Sequence, residues 1–111
     1  MRSDKANKML ATLAEKASKS FDAESIAEEL LAIREIAKEE KDPAIIKILR
    51  LAAEYIESNE NFDLGYVESD EEEVLEMSDF EYLMELIIHS DREANKAEIK
   101  EIRDLLIAEL Y

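Results

Sequence analysis

Between Pro43 and Ser58, the residues Ile45, Ile46, Ile48, Leu49, Leu51, Ala52, Ala53, Tyr55 and Ile56 recur at the helical period. They sweep an arc of about 220°, far wider than the ~100° stripe that a one-sided surface helix needs. A helix apolar over most of its circumference must be covered by several neighbours, so this stretch predicts a central helix in an all-helical bundle. The rest of the chain supplies those neighbours. It holds one glycine, Gly65, and one proline, Pro43, so few residues interrupt helix.

The helix boundaries follow from capping chemistry. Ala6, Met9, Leu10, Leu13, Ala14 and Ala17 form one stripe, predicting a first helix from just after Ser3 to about Lys19. Arg2, Lys5, Lys8, Lys16 and Lys19 share an arc of roughly 120° beside it, a basic edge. Asp22 is the expected N-cap of a second helix reaching Glu40, with Phe21 stapled to Ile26. Asp42 followed by Pro43 opens the third, since proline at the first helical position loses no intrahelical bond. Residues 58–70 form a longer loop around Gly65, and a brief helical turn is expected over Asp70 to Met77. Ser78-Asp79-Phe80-Glu81 is a capping box for a fourth helix, with Met77 and Tyr82 as its staple. Asn95-Lys96-Ala97-Glu98 repeats the device for a fifth, in which Ile99, Ile102, Leu105, Leu106, Ile107 and Leu110 make a second core helix. The fold class is therefore all-α, a compact bundle of about five helices in one domain, residues 1–111.

Charge is the second constraint, and it is local. The net charge is −15, of which residues 51–90 hold −13, with thirteen acidic and no basic residues. The densest part is the stretch YVESDEEEVLEMSDFEYLMELI, residues 66–87. Three readings fit such a face. It is solvated and idle, in a bundle with a purely structural role; it docks a basic protein surface, as an inhibitor or regulatory module does; or it mimics nucleic acid toward a DNA-binding protein. The reading adopted is the second. Its expected contact residues are Glu68, Asp70, Glu71, Glu72, Glu73, Glu76 and Asp79, with Tyr66 as the exposed aromatic anchor and Phe62 and Tyr82 as core residues beneath the loop. Direct binding to nucleic acid is disfavoured by the sign of the charge. The basic edge of the first helix offers the acidic segment a counterpart in cis or across a homodimer.

Other chemistry lacks its parts. One glycine precludes a phosphate-cradling loop, and with no cysteine there is no thiol nucleophile, thiolate site or disulfide. The single histidine, His89, excludes the usual zinc sets and reads as a helix C-terminal residue favoured by the macrodipole. The expectation is a non-catalytic protein without a cofactor. Asn59, Asn61, Asp63, Gly65, Glu68 and Glu71 partly match a calcium-binding EF-hand loop, with Val67 at its apolar position, only if Leu64 is an insertion. A weak calcium site is thus an alternative, and a polar loop is the reading preferred. No apolar run exceeds four residues, and the first twenty residues have no signal-peptide core, so a cytoplasmic, non-membrane protein is expected.

Overall fold

The computed structural model describes residues 1–66 and 77–111. The described residues form α1 (Asp4–Lys19), α2 (Ala23–Glu40), α3 (Pro43–Asn59), α4 (Asp79–Ile88) and α5 (Glu93–Leu110), and no strand. Four starts are built by the anticipated caps. Ser3, Asp22, Asp42 and Ser78 accept hydrogen bonds from the backbone amides of Ala6, Ser25, Ile45 and Glu81, satisfying donors that the first turn leaves free. The turn expected over Asp70 to Met77 lies almost wholly outside the described residues.

The start of α5 differs from expectation. The helix begins at Glu93, with Arg92 at the cap and no side-chain cap bond. Asn95 is already helical, and its amide donates 3.0 Å to the carbonyl of His89, the residue that ends α4. Glu98, the expected return partner, is taken by tyrosine hydroxyls instead. Tertiary partners thus claim both ends of the local motif.

Packing follows the apolar arcs. α3 lies against α2 on one side and α5 on another, α1 packs on α2 and α4, and α4 also meets α5, closing a ring in the order α1, α2, α3, α5, α4. The two-residue link Lys41-Asp42 makes α2 and α3 antiparallel neighbours. α3 was expected to be a central helix; it lies instead in the ring, and it buries Ile45, Ile48, Leu49, Leu51, Ala52, Ala53, Tyr55 and Ile56, more residues than any other described helix. α5 is one-sided: it buries only Ile99, Ile102 and Leu106, whereas Leu105 is 39% exposed.

Two devices fix the ends of the ring. The Met1 ammonium donates to the carbonyls of Ile87 (2.6 Å) and Ile88 (3.1 Å) and to Ser90 Oγ (3.2 Å). It places a positive charge at the C-terminus of α4, which has no basic residue in its last turn. Burial pulls its pKa below the ordinary value, opposed by the nearby carboxylates of Glu40, Asp91 and Asp42. At the opposite end, edge-to-face rings run from Tyr55 through Phe62 and Phe80 to Phe21, with centroids 5.7 to 5.8 Å apart. This row pins the 60–66 loop to the core and turns Phe21 onto the Phe80 ring.

The candidate interaction face at the root of the acidic segment

Of the expected contact residues, Glu68, Asp70, Glu71, Glu72, Glu73 and Glu76 lie outside the described residues; Tyr66 and Asp79 are described and mark the two roots of the segment. Asp79, in the first turn of α4, accepts from the amides of Leu64 (2.7 Å) and Tyr66 (3.4 Å). Tyr66 was expected to be an exposed anchor. It is half-buried instead, its ring 5.9 Å from that of Tyr82 and tilted by 43°. Its hydroxyl donates 2.8 Å to Glu101 on α5, while Tyr82 donates 2.5 Å to Glu98, one turn earlier. Burying the ring and placing carboxylates over the hydroxyl satisfies both halves of an amphipathic side chain, which explains why Tyr66 turns inward. Both residues hold the segment's roots onto α4 and α5. From sequence Glu98 reads only as a capping-box partner and Glu101 is not singled out, because nothing local in an acidic helix shows which carboxylate will meet a distant tyrosine.

The phenols respond electrostatically. The hydrogen bond to Glu98, followed by burial, pushes Tyr82 up to about 12 from an ordinary 10.0. Burial, followed by the bond to Glu101, raises Tyr66 as well. The folded state therefore keeps protons that the unfolded chain releases near pH 10. The stabilisation is complete below pH 10 and falls as pH rises toward about 12. We expect the phenolate absorbance of these two residues to appear late in the folded protein and near pH 10 in denaturant. In Glu98→Gln, the Tyr82 component should move back toward 10. Ordinary titration of both residues in the folded chain would contradict the pairing.

A cleft of about 310 Å³ opens beside these roots, between the C-terminal end of α1, the 60–63 turn and the start of α4. Its lining includes Phe21, Phe62 and Phe80 together with Glu60, Asp63 and Glu81, and no lysine or arginine. Glu60 and Asp63 are exposed, and among the described residues neither they nor Glu81 form an ion pair. Within 51–90, Glu54 pairs with Arg50, and a carboxylate oxygen of Glu85 lies 3.6 Å from His89 Nε2. Of the basic edge of α1, Arg2 pairs with Glu40, Lys16 with Glu29 and Lys19 with Glu15, whereas Lys5 and Lys8 form no ion pair among the described residues.

In the loop weighed as a calcium site, the side chains of Asn59 and Asn61 turn toward the backbone. Asn59 donates to the carbonyl of Tyr55, Asn61 donates to that of Asn59, and the Asn61 oxygen accepts from the amide of Asp63. Glu68 and Glu71 of that pattern lie outside the described residues. Among the described residues, no group of three or more histidines or carboxylates is arranged to hold a metal ion. Nor is any described helix long and apolar enough to cross a membrane. No protein-family model, curated protein or solved structure matches this chain.

Proposed function

We propose that this protein is a non-catalytic interaction module that docks a basic protein surface on the face formed by residues 51–90. The observation that carries the reading is the charge imbalance of that segment: thirteen acids without a lysine or arginine in sequence. Two of its described exposed members, Glu60 and Asp63, border an aromatic-lined cleft. Carboxylates beside the partly exposed Phe21 ring suit a lysine or arginine side chain, through ion pairing and cation–π attraction together. Clustered like charge also speeds the approach of an oppositely charged partner.

The test is affinity capture from a lysate of the source organism at low and at high salt. A basic protein is expected at low salt and should be lost at high salt, because exposed charge contacts are screened. Glu60→Gln with Asp63→Asn should weaken its capture without unfolding the chain, since both side chains are exposed. Capture that is indifferent to salt and to this double change would remove the basis for the reading.

A further inference from the structure

We propose that Tyr66 and Tyr82 form an oxidative modification site, at which a peroxide joins the two rings by a carbon–carbon bond between positions ortho to their hydroxyls. Among the described residues these are the only two tyrosine rings in contact, with centroids 5.9 Å apart and planes tilted by 43°. The Tyr66 hydroxyl donates 2.8 Å to Glu101 and lies 3.4 Å from Glu98 Oε1, the oxygen to which Tyr82 donates at 2.5 Å. The hydroxyl ends of the rings therefore meet over one carboxylate, and the ortho carbons beside them come together there. Rings held in this way react as parts of one body and need no encounter. The other two tyrosines lack the arrangement. Tyr55 is buried and its hydroxyl meets a backbone carbonyl, that of Asp63, while Tyr111 is 80% exposed and donates to Glu54.

The reaction balances with a peroxide alone. Each phenol gives up one electron and its proton, and the carboxylates of Glu98 and Glu101 are placed to accept the protons. The two ring radicals couple at their ortho carbons, whose hydrogens then move to the oxygens and restore both phenols. The oxygen–oxygen bond of the peroxide breaks as it takes up the two electrons and two protons, so hydrogen peroxide leaves as two waters. The chain has no cysteine and no disulfide to close it. A bond between residues 66 and 82 supplies such a closure and restricts the unfolded state as a disulfide does.

The test uses the full chain with Tyr111→Phe, which removes the tyrosine most open to linking separate chains. Persulfate, a peroxide, is supplied with a light-activated tris(bipyridine)ruthenium complex. The product should be a monomer lacking two hydrogens, with dityrosine fluorescence that no tryptophan obscures. Trypsin leaves both tyrosines in one peptide, since residues 51–90 hold no lysine or arginine. A protease that cleaves after glutamate should instead release separate peptides joined through Tyr66 and Tyr82. Urea added before illumination should lower the yield about tenfold, because the rings lose their fixed approach. Tyr66→Phe and Tyr82→Phe should each abolish the joined peptides while the helical circular dichroism is retained, and Tyr55→Phe should leave them. No dityrosine, a link that maps to Tyr55, a yield unchanged in urea, or linked chains in place of a linked monomer would each overturn the proposal.

Discussion

Leu49→Ala is expected to destabilise the fold by about 2–5 kcal/mol, because a fully buried leucine loses its transfer energy and leaves a cavity that its neighbours fill only in part. Leu49 is 0% exposed, on the helix that packs against both α2 and α5. Leu106, also 0% exposed, should fall in the same range when replaced by alanine. Against a total stability of about 5–15 kcal/mol for a domain of this size, either change removes a large share. Urea unfolding followed by circular dichroism measures the cost. A loss below about 1 kcal/mol at both sites would mean that α3 and α5 do not share the core described here.

Phe80→Ala should cost about 3–5 kcal/mol. The Phe80 ring is 2% exposed and makes two of the three edge-to-face contacts in the row that joins α3, the 60–66 loop, α4 and Phe21. Its removal opens a cavity and also unpins the loop from which the acidic segment departs. Phe80→Leu refills most of the volume without the ring edges, so it should recover most of the stability but not all. If alanine and leucine behaved alike, and both close to the parent protein, the aromatic row would not be holding the loop.

The limits of helices α1 to α4 were legible because their signals are local. A serine or aspartate lies just before each apolar stripe, and a proline opens α3. The neighbours of each helix were not legible, and the misplaced start of α5 shows why. Asn95 and Glu98 have the spacing of a capping box, yet one bonds the end of α4 and the other accepts from Tyr82, sixteen residues away. Both alternatives depend on how the helices are arranged, which the spacing does not encode. Leu105 fits the helical period but faces outward, because α5 packs on α3 and α4 alone among its stronger contacts. Tyr66 illustrates the same limit at the candidate face. A tyrosine bordering a charged loop suggests an exposed anchor, and only the position of Glu101 shows that its hydroxyl is held within the chain. The uneven charge, by contrast, could be read directly, because net charge along a chain does not depend on the fold.

The central claim is that the acidic segment is used for recognition, and its most direct test is neutralisation of Glu71, Glu72 and Glu73 to glutamine. The affinity of the captured partner is then measured across a salt series, beside the stability of the variant. Fewer charge contacts should weaken binding and flatten its salt dependence. Relieved repulsion should leave stability unchanged or higher. An equal change in charge at Glu24, Glu28 and Glu39, exposed glutamates of α2 that form no ion pair among the described residues, should leave binding far less affected. A triple variant that lost stability yet bound its partner as before, with the same salt dependence, would contradict the account and assign these carboxylates to the fold instead.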